Sequence, residues 1–318
     1  MRPPMEKAKR PKTLRPMAEE SILERIDDAT EAAESAFHRD FRRALRGAIR
    51  ATDLSSLEVA IRYGDENLAD KAFDWSRMES NLAEALTGDT ATSRELVAAA
   101  DTGVEIAERI AVGVGLEVPA SLTEEALDAA RKRVGRAGLQ RAKDLTDESR
   151  RGVRKLIREA FQPNRSITDI ASQLSRTVPA SNVAELMGLN ERQAEALGKK
   201  VYGWLNDPSL KPSDIQRMID AERARMIESR ALSVARTEAV QAANRGMLAT
   251  WEKGKDGAFK GYLKEWVARA KGACPRCAAF DGKKAEMSDD FVSDLGERAP
   301  CPEIHPGGYC GMRLVPKS

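Results

Sequence analysis

The chain has 318 residues, of which 42% are hydrophobic, 32% charged and only 5% aromatic. This composition favours a helix-rich globular protein of about two domains over a β-sandwich. The formal net charge of +2 excludes a chain-wide attraction to nucleic acid and leaves only local clusters. No apolar run of about 18 residues and no apolar N-terminal segment occurs, so we expect neither a membrane span nor standard secretion. The only two histidines, His38 and His305, leave little scope for hydrolase chemistry.

Residues 1–18 predict a basic, flexible arm. The segment has prolines at positions 3, 4, 11 and 16, almost no apolar periodicity, and one early acid, Glu6. Such an arm can bind DNA phosphates or an acidic protein surface, or it can be a solvated tail without a partner, and the sequence leaves both open. The candidate DNA-binding residues are Arg2, Lys7, Lys9, Arg10, Lys12 and Arg15.

Residues 19–150 predict an N-terminal region of several amphipathic helices. Apolar side chains recur there every three or four residues, as Phe37, Phe41 and Leu45 illustrate. Thr92, three residues before Glu95, has the spacing of a capping box and predicts a helix start. The run Val112-Gly-Val-Gly115 predicts a turn or hinge.

Residues 151–253 predict a central helical region that ends in one long helix. Asn190 with Gln193 and Ser213 with Gln216 have capping spacing. Between Ser213 and Trp251 there is no proline and one glycine, Gly246, so we expect a helix of about 35 residues with a possible bend at that glycine.

The long helix carries a polar stripe on one predicted face. Its members are spaced by three or four residues, opposite an apolar face that includes Val234 and Leu248. The stripe consists of Arg230, Ser233, Thr237, Gln241 and Asn244. Such a stripe either has a function or is solvated, and the pattern leaves both open.

Residues 254–318 predict a separate small α+β module. Glycines become frequent, the alternation in 262–267 predicts a strand, and all four cysteines lie in this segment. The two-residue gap between Cys274 and Cys277 allows both thiolates to bind one zinc ion, and Cys301, His305 and Cys310 compete for the remaining places. Inert thiols and a disulfide are the alternatives. A structural zinc is favoured because the module has too few apolar residues for a core of its own.

A series of motifs over roughly residues 150–318 resembles the phage Mu F-like minor head protein (phage head morphogenesis) family. The series runs Ala235-Arg-Thr-Glu-Ala239 with Asn244 and Gly246, Lys264-Glu-Trp266, Cys274-x-x-Cys277, Asp281-Gly282, and a His305-Pro306 turn with Cys310. The chain departs from the family pattern in two places. It has Ala-Arg-Ala-Lys before the first cysteine, where the family has an acid, and it lacks the second cysteine of the final turn.

The resemblance implies a non-enzymatic minor capsid protein of a tailed phage, present in few copies. It implies association with portal and coat or scaffold proteins, support of head assembly and DNA packaging, and a location in the capsid interior or portal region after assembly in the host cytoplasm. The implied zinc ligands are Cys274, Cys277, His305 and Cys310, with Cys301 as the alternate ligand that could replace the missing thiolate. Arg236, Thr237, Glu238, Asn244 and Trp266 form the implied structural motif.

Two other functions remain open from the residues alone. A zinc-dependent nuclease or toxin-like enzyme is disfavoured because His38 is far in sequence from His305, which leaves no evident second histidine for metal-assisted hydrolysis. A zinc-ribbon nucleic-acid-binding protein has some support from four basic residues around the cysteines, namely Lys271, Arg276, Lys283 and Lys284.

Overall fold

The computed structural model describes residues 19–63, 65–160, 184–268, 273–302 and 310–317. Within these ranges the chain is mainly α-helical, with a small β-sheet region near the C-terminus, as its composition predicts. The long helices are α1 (Glu19–Arg50), α5 (Ala91–Gly113), α6 (Ala120–Ala160) and α8 (Pro212–Lys253). The shorter helices are α2 (Leu54–Tyr63), α3 (Glu66–Ala72), α4 (Trp75–Thr87) and α7 (Glu191–Leu205), with a 3-10 turn at Glu185–Gly188. The basic arm lies outside the described residues.

Local capping explains where several helices begin. The Asn190 side chain accepts a hydrogen bond from the Gln193 backbone, and the Gln193 side chain accepts one in return, so the predicted capping box of α7 is confirmed.

The prediction at Thr92 is wrong: the N-cap of α5 is Thr90, and the Thr92 hydroxyl instead donates to Asp40 of α1 at 2.7 Å. The prediction at Ser213 is also wrong, since α8 begins at Pro212 without a side-chain cap. The turn predicted after Val112 is confirmed, because α5 ends at Gly113.

Helix α8 is the central element of the helical body and packs on α1, α5 and α6. It continues through Gly246 without a break in the helix. Gly246 allows the backbones of α8 and α5 to approach closely, since a Cβ there would collide with the Ala100 carbonyl oxygen. Reciprocally, a Cβ on Gly103 of α5 would collide with the carbonyl oxygen of Ala243. Two glycines therefore set the distance between these helices.

The predicted polar stripe of α8 is only partly solvated. Arg230, Thr237 and Asn244 are at most 5% exposed, and Val234 and Leu248 on the opposite face are also buried. The second half of α8 is thus enclosed on several sides. The polar side chains of the stripe are therefore buried groups that need hydrogen-bond partners.

In the described part of the C-terminal module, the chain forms two small antiparallel sheets and one short helix. Strand β1 (Tyr262–Val267), predicted from its alternation, pairs with β2 (Lys284–Ala285) on one side and β5 (Gly311–Pro316) on the other. Strands β3 (Phe291–Val292) and β4 (Arg298–Ala299) form a hairpin. The helix α9 spans Pro275–Ala278.

The apolar interior forms two clusters. One lies among the helices and joins residues of the N-terminal and central regions, from Ala33 to Ala249. The other joins the module to the ends of α5 and α8, through side chains such as Ile110 and Trp251. In the described ranges, no helix combines the length and the apolar character that crossing a membrane requires.

Candidate metal centre and its junction with the long helix

The four cysteines lie in or next to the short helix and the strands of the C-terminal module. Cys274 is the N-cap of α9 and is partly buried, Cys277 lies one turn later and is buried, Cys301 follows β4, and Cys310 immediately precedes β5. Pro275 at the first helical position favours this tight turn. Cys277, Cys301 and Cys310 belong to the apolar cluster of the module, and Cys274 packs against it. All four thiols are therefore held in one region by short structural elements.

Cys277 interacts with two other cysteines, Cys274 and Cys310. The Cys274 sulfur accepts a hydrogen bond from the Cys277 backbone N–H, with 3.4 Å between the two atoms. Burial opposes ionisation of Cys274, but hydrogen bonds from the α9 backbone outweigh it and lower the thiol pKa below its usual value. Burial raises the pKa of the Cys277 thiol, and the adjacent Cys310 and Cys274 sulfurs raise it further.

The donor chemistry fits zinc, although the geometry of a complete site is not present in the described residues. Thiolates at the spacing of Cys274 and Cys277 are typical zinc ligands, and Cys310 lies beside them. Within the residues that the structure describes, no three His, Cys, Asp or Glu side chains are grouped so as to hold a metal ion. His305, the fourth ligand implied by the resemblance, lies outside the described residues.

A fully buried lysine lies next to Cys301. The Lys264 ammonium donates to the Pro300 carbonyl oxygen at 2.7 Å and lies 4.9 Å from the centre of the Phe291 ring. Burial lowers the pKa of Lys264, and the Cys301 sulfur partly opposes this effect. Sequence analysis did not assign Lys264 a role, although its position between Tyr262 and Trp266 on one face of the predicted strand was a signal that it would face the interior.

Asn244 connects the long helix to both ends of the segment that carries the candidate ligands. Its side-chain amide is completely buried and donates to the Cys310 carbonyl at 3.0 Å and to the Pro302 carbonyl at 3.3 Å. It also donates to Val240 within α8. The Asn244 Oδ1 atom is buried and has no hydrogen-bond partner among the described residues. One side chain of the body therefore fixes the chain next to Cys301 and Cys310.

Trp266 forms the centre of the apolar packing in the module. Its ring stacks on Phe280, with 4.4 Å between centroids, and meets Phe291 edge-on at 5.4 Å. The residue is 1% exposed. Strand β1 thereby joins the turn that follows α9 and the β3–β4 hairpin into one unit near the cysteines.

The other residues of the implied motif contact the helical body. Arg236 forms an ion pair with Glu34 of α1 at 2.5 Å, and Glu238 forms one with Arg141 of α6 at 3.3 Å. The Thr237 hydroxyl donates to the Ser233 carbonyl of its own helix at 2.7 Å. Of the motif residues, Trp266 thus lies within the module and Asn244 contacts it from α8. Arg236 and Glu238 lie at contacts between helices.

Arg230 is a buried ion-pairing residue that sequence analysis placed on the polar stripe without a partner. Its guanidinium donates to the carboxylate of Glu148 at 2.9 Å, the Ser149 hydroxyl at 2.9 Å and the Gly188 carbonyl at 2.8 Å. Burial lowers the pKa of Arg230 to about 10, although Glu148 opposes this effect. Glu148 also lies 3.4 Å from Arg141, so a chain of charges extends from Arg230 to Glu238. These partners are distant in sequence, which explains why no local pattern indicated them.

The sequence was also compared with known proteins. No family model matched it, and the searches of curated proteins and of solved structures likewise gave no match.

Proposed function

We propose that this chain is a minor head protein of a tailed phage. In this role it associates with the portal and with coat or scaffold subunits, supports head assembly and DNA packaging, and resides in the capsid interior or portal region. The proposal rests on the ordered series of motifs that resembles the phage head morphogenesis family. It is supported by Asn244, since this residue of the helix motif hydrogen-bonds the backbone of Cys310 in the final motif.

The second part of the proposal is a structural zinc ion. Cys274, Cys277, Cys310 and His305 would hold it, and Cys301 is the alternate ligand. Bound zinc would supply a cross-link between α9 and the chain that enters β5, in addition to the apolar packing around the cysteines. Its role would be stabilisation, because the Cys-rich donor set is typical of closed structural sites rather than of catalytic ones.

The mechanism that follows is one of assembly. The Asn244 contacts and the zinc would hold the module at the end of α5 and α8, so that the exposed surfaces of body and module face a partner in a fixed relative orientation. No residue of this site is assigned a chemical step in the proposed role. Cleavage of plasmid DNA by the purified chain, abolished by His305→Ala, would favour the nuclease alternative.

The test is to isolate procapsids and virions and to quantify the chain and the portal protein in them by mass spectrometry. We expect the chain in procapsid fractions, in few copies per portal. The variant Asn244→Ala should weaken this association, since it leaves the carbonyls of Pro302 and Cys310 without their donor, at about 1–3 kcal/mol. Arg136→Gln, at an exposed position of α6, serves as the control and should associate normally. Absence of the wild-type chain from both particles would contradict the proposal.

A further inference from the structure

The C-terminal half of α1 carries five exposed arginines. They lie within twelve residues of one continuous helix, and Arg43, for example, has a side chain that is 75% exposed. We call this set the arginine face, and it consists of Arg39, Arg42, Arg43, Arg46 and Arg50. At about 100° per residue, all five fall within roughly 100° of the helix circumference. The opposite side of the same segment is buried through Phe37, Phe41 and Leu45.

The positive charge of the arginine face is not neutralised by nearby acids on the same helix. Between positions 38 and 50 the only acidic residue is Asp40, which is 6% exposed and accepts hydrogen bonds from the Thr92 backbone and hydroxyl. Of the five arginines, Arg43 pairs with Asp40. Arg39, Arg42 and Arg50 have no ion-pair partner in the portion of the chain that the structure describes.

Carboxylates occur at one border of the arginine face. A cleft between α1 and α4 is lined by Asp40 and Arg43 on one side and by Arg77 and Glu84 on the other. Glu84 thus lines the same cleft as Arg43, whereas Arg42, on the other edge of the face, is not among the residues that line it. The uncompensated charge is concentrated on Arg39, Arg42, Arg46 and Arg50.

The length of the arginine face suits contact with a phosphate backbone. From Arg39 to Arg50 the helix rises about 16 Å. One strand of a DNA duplex carries a phosphate about every 3.4 Å of its axis but winds around that axis, so a straight face of this length can contact a few neighbouring phosphates of a strand. Guanidinium groups bind phosphate oxygens through two parallel hydrogen bonds, which makes arginine better suited to this contact than lysine. The face presents no exposed aromatic side chain on which the bases of a single strand could stack.

We infer that the arginine face of α1 binds the phosphate backbone of double-stranded DNA without reading its sequence. The inference does not depend on the proposed function, since it rests on the exposure, spacing and charge of α1 alone. It also differs from the expectation for the N-terminal arm, whose residues lie outside the described structure. An acidic protein surface is the competing occupant.

The test measures binding of the full chain to a labelled duplex of mixed sequence over a range of salt concentrations. The variant Arg39→Gln/Arg42→Gln/Arg46→Gln should bind more weakly, and the slope of log affinity against log salt should fall by about 0.9 for each lost phosphate contact. The corresponding triple Arg→Lys variant should keep most of the slope, because it keeps the charge. Far-UV circular dichroism verifies that the variants remain folded.

The matched control is Arg136→Gln/Lys143→Gln/Arg151→Gln, which removes the same charge from exposed positions of α6. We expect this control to keep the wild-type slope. An equal loss in both triple variants, or no binding of duplex by the wild-type chain, would overturn the inference. Equally tight binding of polyglutamate would assign the face to an acidic protein instead. Replacement of the six basic residues of the arm by glutamine should lower affinity independently, so its effect and that of the arginine face should add.

Discussion

The helical body and the C-terminal module are both closely packed, but with different kinds of side chain. The core of the body is rich in alanine, and at the crossing of α5 and α8 it uses glycine as well. The core of the module consists of large rings, such as Trp266 and Phe280, together with the thiols of the cysteines. The body gains its stability from helices that approach each other closely, whereas the module fills space around short strands with few, large groups.

The two regions also differ in how far they depend on each other. The body has a cluster of its own that draws on every long helix. The cluster of the module includes side chains contributed by the body, among them Ile106, Met247 and Trp251. The module therefore needs both the ends of α5 and α8 and, in the proposed function, a zinc ion. We expect perturbations of the module to leave the body folded, and perturbations of the α5–α8 crossing to affect both.

The largest expected effect is the loss of the proposed zinc. Cys310→Ser should bind no zinc, whereas Cys301→Ser should keep one zinc per chain, because Cys301 lies outside the ligand set that the resemblance implies. Binding of a structural zinc is worth on the order of 10–16 kcal/mol in isolated peptides, so its loss should unfold the module. Metal analysis of both variants measures the zinc, and far-UV circular dichroism measures the helices of the body. Tryptophan fluorescence in a Trp75→Phe/Trp204→Phe background reports the module through Trp251 and Trp266.

Three results would show whether Cys301 or Cys310 binds the zinc, whether zinc binds at all, and whether the body folds independently of the module. Zinc retained in Cys310→Ser and lost in Cys301→Ser would move Cys301 into the site. A wild-type chain without zinc would contradict the metal proposal altogether. If loss of zinc also removed most of the helical signal in far-UV circular dichroism, the body would depend on the module. The claim that the body folds without the module would then be wrong.

The second effect concerns the close crossing of α5 and α8. Gly103→Ala would place a Cβ against the Ala243 carbonyl oxygen, so the helices must separate. We expect a loss of about 1–3 kcal/mol or more in the free energy of unfolding, the usual cost of overpacking. Urea unfolding followed by circular dichroism measures it, and it should affect body and module together because α5 and α8 contribute to both clusters.

Gly135→Ala in α6 is the matched control for that substitution. A Cβ there would meet no atom within 4 Å. The exchange should stabilise the chain by about 0.5–1 kcal/mol, since alanine restricts the unfolded backbone more than glycine does. Equal shifts of the same sign in Gly103→Ala and Gly135→Ala would show that the crossing tolerates side chains.

Local features of this fold could be predicted from the sequence, and contacts between distant segments could not. The capping box at Asn190, the strand at 262–267 and the length of α8 depend on neighbouring residues, and the patterns indicated them. Gly246 was interpreted as a possible bend because a sequence does not reveal that Ala100 of another helix lies against it. The partners that Arg230 and Asn244 have outside α8 are separated from them by 42 to 85 residues, so their burial had no local signal.

The smallest expected effect distinguishes two neighbouring residues of the same motif. Glu238 has a side chain that is 7% exposed and pairs with Arg141, which is 17% exposed, so Glu238→Ala leaves a largely buried guanidinium short of a partner. Because Arg141 keeps its ion pair with Glu148, the expected loss is about 1–2 kcal/mol, below that of a fully unpaired buried charge. Arg236 is 43% exposed and pairs with Glu34 in contact with solvent, so Arg236→Ala should cost under about 1 kcal/mol.

Thermal and urea unfolding of the two variants compare these costs directly. Similar losses would contradict the assignment of Glu238 to the body's interior and Arg236 to its periphery. If Arg236→Ala leaves stability unchanged but prevents the chain from associating with procapsids, Arg236 contributes to a partner surface. In that case the same turn of α8 stabilises the body through Glu238 and binds a partner through Arg236.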